Sequence, residues 1–162
     1  MDKVKLGGVV VTTIIADIFA AVTGWLGILA IPVYALVACN ILDYITGLMA
    51  AKYRNQTINS DTGVRGIFKK VGMWILVCVG AMVDTLINYS VNVAGFHIAI
   101  PFIFAFAIAL WLDFNELISI VENVKDMGVK LPKFLLPLLK NIKKKVDDTA
   151  SSATKKTEVK NE

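Results

Sequence analysis

Long apolar stretches separated by short polar and basic segments dominate the pattern of this chain. A helix needs about 20 apolar residues to cross the hydrocarbon core of a membrane. Three stretches meet that length with few charges, at residues 31–51, 71–89 and 98–121. A fourth, at residues 6–23, is long enough but rich in Gly, Thr and Ala, and Gly24 and Gly27 follow it. The pattern predicts an all-α polytopic membrane protein with three to four transmembrane helices in residues 1–124.

The chain changes character after this apolar domain. Residues 125–146 are basic, and from Leu131 to Val146 apolar residues recur at helical spacing against lysines. This arrangement is typical of an amphipathic interfacial helix that lies on a membrane surface. Residues 147–162 are polar and small, so they bury too little apolar surface to offset the entropy of ordering. We therefore predict a disordered tail there.

The distribution of positive charge predicts the orientation. The 17 Lys and Arg residues, which give a formal net charge of +4, fall at Lys3 and Lys5, in residues 52–70, and after residue 124. Basic loops favour the cytoplasmic side, so we expect the loop 52–70 and the C-terminus in the cytoplasm, and residues 88–97 outside. If residues 6–23 span, both termini lie inside. Three helices with an interfacial first segment is the alternative, and a cleaved export signal is less favoured because Asp17 interrupts the segment.

Composition argues against several classes of function. The basic residues flank apolar spans and alternate with acids, without an aromatic stacking platform, so anionic membrane lipids fit them better than nucleic acid does. Cys39 and Cys78 lie inside apolar runs and His97 is the single histidine, which gives no basis for a metal site. No catalytic or cofactor motif is recognisable. We expect neither an enzyme nor a cofactor.

Each apolar segment nevertheless contains an aspartate: Asp17, Asp43, Asp84 and Asp113. A carboxylate in hydrocarbon is costly and must be neutral, paired or hydrated. Three of these acids share a helix face with small residues at four-residue spacing, which allows helices to approach closely. In one interpretation the acids only hold a helical bundle together. In the other, several copies assemble and turn these faces toward a lumen. The candidates for assembly and pore lining are Asp43, Thr46, Gly47, Ala51, Gly80, Asp84, Asp113 and Glu116.

The run LDYITGLMAAKYRNQTINSDTGVRGIFKKVGMWILVCVGAMVDTL, residues 42–86, resembles the phage lysis and toxin-secretion holins of Gram-positive bacteria and their phages. The resemblance rests on D-x-x-T-G from Asp43, on S-x-x-G-x-x-G-x-x-K-K from Ser60, and on Asp84. NELISIVENVKDMGVKLPKFL, residues 115–135, is similar to the C-terminal signature of the family. The first 30 residues carry no such match.

The resemblance implies a protein that accumulates in the host cytoplasmic membrane and then oligomerises into large lesions. A cell-wall hydrolase, the endolysin, would pass through them as cargo, or a toxin would be released in the same way. Residues expected to fix orientation and contact lipid are Arg65, Lys69, Lys70, Lys143, Lys144 and Lys145.

Two other functions stay open at this point. Membrane carboxylates also serve ion and proton pathways, so a small ion channel or transporter subunit is the main alternative. An antiholin, which inhibits a holin partner, could share the same pattern. An aspartyl intramembrane protease using Asp43 and Asp84 is less favoured because the sequence around Asp84 lacks the G-x-G-D context.

Overall fold

The structure, a computed structural model, describes the backbone of residues 3–56, 60–98 and 100–158. Side chains are described from Val9 to Asp148, apart from residues 57–59, 62 and 99. The described residues form five α-helices and no strand: α1 Lys3–Leu26, α2 Ala30–Tyr53, α3 Ser60–Val93, α4 Ile103–Asp126 and α5 Leu135–Glu158. Three helical stretches within them are long and apolar enough to span a membrane, at Val9–Tyr53, Gly63–Val93 and Ile103–Asp126. The predicted fold class, a multi-pass helical membrane protein, is confirmed.

The first of these stretches folds back on itself. The Phe19 and Tyr34 rings stack with their centroids 5.0 Å apart, and the hydroxyls of Thr23 and Tyr34 are hydrogen-bonded at 2.8 Å. Fifteen residues of straight helix would separate Phe19 from Tyr34 by about 22 Å along the axis. The reversal lies at Gly27, whose φ of +54° favours glycine. Away from this turn, α1 is largely exposed and makes few contacts with α2.

Helix α4 is the centre of the bundle. It packs along both α2 and α3, whereas α2 and α3 make few contacts with each other. Ala105 and Ala109 on α4 are fully buried, because their small side chains let the neighbouring backbones approach. The outward faces of α2 and α3 carry exposed apolar residues suited to lipid. The buried core includes Leu36, Met73, Val77, Ala105, Ala109 and Leu112.

Helix α5 packs lengthwise against α4 and runs antiparallel to it. Lys140 pairs with Glu122 at 2.8 Å, and the indole N–H of Trp111 donates to Asp147 Oδ1 at 2.6 Å. The Lys143 Nζ lies over the Trp111 ring, 5.2 Å from its centroid. We predicted an amphipathic helix on the membrane surface; in the structure the partner of this helix is the flank of α4.

Helical backbone extends beyond the apolar stretches at several ends. Helix α3 begins at Ser60, so most of the predicted basic loop 52–70 is helical. Helix α5 continues to Glu158 through most of the segment predicted as a disordered tail, and residues 159–162 lie outside the described residues. The physical reason at α3 is that hydropathy marks the lipid-facing part of a helix, whereas backbone hydrogen bonding continues into polar sequence.

Candidate functional site

Charged side chains from three helices meet inside the bundle. The Lys70 Nζ lies 2.9 Å from Asp43 Oδ2 and 2.5 Å from Glu116 Oε2. Each of these residues is ten positions from the end of its helix, or about 15 Å along the axis. These three helix ends lie at the same end of the bundle, which we call the Arg54 end. We call the three residues the Lys70 triad.

Neighbouring polar groups extend the triad on one side. With its amide nitrogen oriented toward Glu116, Asn40 donates to Glu116 Oε2 at 3.0 Å and accepts from the Trp74 indole N–H at 3.2 Å. Asp113, one turn before Glu116 on α4, is 6% exposed. Its Oδ1 and the Glu116 Oε1 are buried without a hydrogen-bond partner among the described residues. The acids in this region therefore outnumber the bases.

On the other side the network continues to the Arg54 end. The Asn123 amide nitrogen contacts Asp43 Oδ1 at 3.2 Å and Thr46 Oγ1 at 3.3 Å. Its oxygen accepts from Arg54 at 2.9 Å. Arg54 also pairs with Asp126 at 2.7 Å. A chain of polar contacts thus runs from the end of the bundle to its middle.

Burial makes this network energetically demanding. The Glu116 side chain is 1% exposed and the Lys70 side chain 14%. Moving such charges out of water costs several kcal/mol each, and their attraction compensates only with good geometry and further hydrogen bonds. Lys70 meets both requirements, because it contacts Asp43 and Glu116 at hydrogen-bonding distance. Because the members of the triad come from α2, α3 and α4, separation of any one of these helices would leave a charge without its partner.

A cavity of about 250 Å³ opens beside the triad, between α2 and α3. Gly47 and Ala51 line it from α2, and Gly63 and Gly66 from α3, so no large side chain fills it. The Tyr44 hydroxyl lies 3.6 Å from the position that a Cβ on Gly63 would occupy. The space between α2 and α3 stays unfilled here because these residues have small side chains or none.

A second polar site lies at the other end of α4. The Asp84 carboxylate accepts from the backbone N–H of Phe104 at 3.0 Å and of Ala105 at 2.9 Å. These N–H groups belong to the first turn of α4, which has no partner for them within the helix. The Asn88 amide exchanges two hydrogen bonds with the Ile100 backbone, at 2.6 and 2.7 Å. Asp84 therefore caps α4 from a neighbouring helix.

Gly80 completes this second site. A Cβ added to it would lie 2.8 Å from the Ala105 Cα, so only glycine permits this approach of α3 to α4. Asp84 is 14 residues from Lys70 on α3, about 21 Å along the axis. It therefore cannot form a dyad with Asp43, which contacts Lys70, and an aspartyl-protease geometry is not present.

The structure divides the predicted site residues into two groups. Asp43, Thr46, Gly47, Ala51, Asp113 and Glu116 lie in or beside the network around the triad, and Gly80 and Asp84 lie at the α4 cap. Among the predicted orientation and lipid residues, Lys70 lies inside the bundle, Lys143 contacts Trp111, and Arg65, Lys69, Lys144 and Lys145 are exposed.

Sequence reasoning missed Asn40, Arg54, Trp74, Asn123 and Asp126 as members of the network. One signal was available for Lys70. It is the cation adjoining the apolar run of α3, and an intramembrane acid needs such a partner.

Known proteins share this sequence pattern. Residues 20–144 match the sequence model of the bacteriophage holin family. The chain is 32% identical over 142 residues to an uncharacterized protein of Clostridium perfringens, covering 88% of this chain and 92% of that protein. It is 34% identical over 122 residues to an uncharacterized protein of Listeria innocua, covering 75% and 79%. A protein of Bacillus phage phi105 named as a probable holin is 29% identical over 97 residues, covering 60% and 63%. No solved structure matches.

Proposed function

The chain belongs to the bacteriophage holin family, and from this membership and the internal network we propose that it is a holin that forms lesions in the bacterial cytoplasmic membrane. One observation carries the proposal: the Lys70 triad lies between α2, α3 and α4 of a protomer whose outer helix faces are apolar. Such a protomer is compatible with lipid as a closed unit. It also holds enough polar helix surface to line water if the helices separate.

The transition to a lesion follows from the packing. Helix α4 contributes Glu116 and Asn123 to the network, and α2 contributes Asp43 and Thr46. When copies of the chain associate, exchange of helix contacts between protomers exposes these side chains to a common lumen, where the charges become hydrated. The apolar outer faces keep contact with lipid. A homo-oligomer of this kind can grow until a folded protein passes.

The partners and orientation follow from the same proposal. The Arg54 end, which is basic, faces the cytoplasm, as does the C-terminus. Endolysin is the cargo and needs no binding site on the holin; a toxin could take the same route. Anionic lipids neutralise the exposed lysines.

The experiment is inducible expression in a bacterium with and without a cytoplasmic endolysin that lacks its own export signal. Culture turbidity and escape of a cytoplasmic reporter enzyme are followed together. Abrupt lysis only with both proteins, and loss of membrane potential with this protein alone, are expected. Loss of potential without endolysin-dependent lysis would contradict the proposal.

A small ion channel is the second candidate, because the network from Arg54 to Glu116 lies within one protomer and could conduct ions without assembly. It predicts conductance without escape of the reporter. An antiholin predicts a third result: expression alone leaves the potential intact, and co-expression delays lysis by another holin.

A further inference from the structure

The cavity between α2 and α3 has the chemistry of an anion site, which the proposed function does not use. Three cationic side chains line it, Arg54, Lys69 and Lys70, against the single carboxylate of Asp43. Lys70 is occupied by Asp43 and Glu116, and Arg54 pairs with Asp126. Lys69 is exposed and forms no ion pair with the described part of the chain. Lys69 is therefore the lining cation available to bind an anion.

Neutral hydrogen-bonding groups accompany these cations. Tyr44 and Gln56 line the same cavity and can donate a hydroxyl and an amide N–H. The volume of about 250 Å³ is several times the ~30 Å³ share of one water molecule in liquid. It accommodates a tetrahedral phosphate and its ester carbons. Gly63 and Gly66 leave this volume open because they carry no side chains.

The surroundings favour a phosphate that carries acyl chains. Leu48 lines the cavity itself, and Ile45, Ile67 and Phe68 are exposed at neighbouring positions on the same two helices. Basic pockets between transmembrane helices on the cytoplasmic side are typical sites for anionic headgroups. We propose that the α2–α3 cavity binds the phosphate of an anionic glycerophospholipid, with Lys69 and Tyr44 as its contacts.

The test uses the full-length protein purified in mixed micelles that contain equal amounts of phosphatidylglycerol and phosphatidylcholine. Lipid retained per protomer after repeated washing is measured by mass spectrometry. The wild-type protein should retain phosphatidylglycerol in preference to phosphatidylcholine. Lys69→Gln should lower this retention about fivefold, which corresponds to ~1 kcal/mol for one basic residue.

The matched control is Arg65→Gln. Arg65 is exposed one turn before Lys69 on α3 but does not line the cavity. This variant makes the same change in net charge, so it should retain phosphatidylglycerol as the wild-type protein does. Equal losses in Lys69→Gln and Arg65→Gln, or no lipid preference in the wild type, would overturn the proposal.

Two further arms define the cavity and the ligand. Gly66→Leu should fill the cavity and abolish retention, whereas Gly66→Ala, whose Cβ would lie 4.0 Å from Tyr44, should leave it unchanged. Retention unchanged by Gly66→Leu would also contradict the site. Glycerol phosphate at the same concentration as the lipid should not displace it; displacement would assign the site to soluble phosphates and overturn the lipid assignment.

Discussion

Lys70 and Glu116, 46 residues apart in the chain, form an ion pair of 2.5 Å in the interior of the helical bundle. The contact joins α3 to α4, and Asp43 extends it to α2. Replacing Lys70 by Met would leave the buried Glu116 and the partly buried Asp43 without their cation. We expect Lys70→Met to lower the free energy of unfolding by about 3–5 kcal/mol, measured by denaturant or thermal unfolding in detergent.

The triple variant Lys70→Met, Asp43→Asn, Glu116→Gln provides the internal check. Removing all three charges should recover much of the loss, because the cost comes from unpaired charge. Arg65→Gln, which removes an exposed cation from the same helix, should change stability little. If Lys70→Met unfolds no more easily than Arg65→Gln, the triad contributes nothing to stability.

The α4 cap gives a second expectation. Asp84→Ala leaves the N–H groups of Phe104 and Ala105 without their acceptor, so we expect a loss of about 1–2 kcal/mol, as for other helix caps. Asp17→Ala is the matched control, because Asp17 also lies in an apolar helix but is exposed. Unfolding of both variants in the same detergent is the measurement. Equal effects would show that the capping contact carries no stability.

Close packing at Gly80 can be tested by adding a single methyl group. Gly80→Ala would place a Cβ 2.8 Å from the Ala105 backbone, and the forced separation of α3 from α4 should cost about 1–3 kcal/mol. Gly72→Ala on the same helix meets no atom within 4 Å and should be neutral or stabilising. A stabilising Gly80→Ala would contradict the observed helix approach.

The docking of α5 on α4 predicts its resistance to protease. Asp147→Ala removes the acceptor of the Trp111 indole N–H, so trypsin should cleave faster within the lysine cluster at residues 143–145. Mass spectrometry of the timed digest identifies the cut. Asp61→Ala, an exposed acid at the start of α3, should leave the rate unchanged. A wild-type rate in Asp147→Ala would show that this bond does not hold α5.

The proposed opening of the network predicts the timing of lysis. Asp43→Asn removes one charge from the triad and weakens the closed protomer, so lysis in the endolysin assay should begin earlier than with the wild type. Asp61→Asn makes the same chemical change away from the network and should keep the normal time. Lysis at an unchanged time in Asp43→Asn would separate the triad from the function.

The sequence predicted the helices well because each apolar run, such as residues 31–51, signals burial in lipid directly. It also predicted that Asp43 must be paired, neutral or hydrated. It could not identify Lys70 and Glu116 as the partners, since their contacts join residues 27 and 46 positions apart and helical periodicity relates only neighbours on one helix. In the sequence Asp84 resembled Asp43, because each shares a helix face with small residues at four-residue spacing, yet Asp84 contacts backbone amides. Small residues on one helix face indicate that another helix packs closely there. They do not identify the polar groups on that second helix.

The central position of α4 has a consequence for synthesis, because this helix leaves the ribosome after α2 and α3. When α2 and α3 enter the membrane, Asp43 and Lys70 can already neutralise each other, whereas Asp84 still lacks the amides of Phe104 and Ala105. Insertion of α4 supplies those amides together with Glu116. The polar contacts of α2 and α3 are therefore complete only once α4 has entered the membrane.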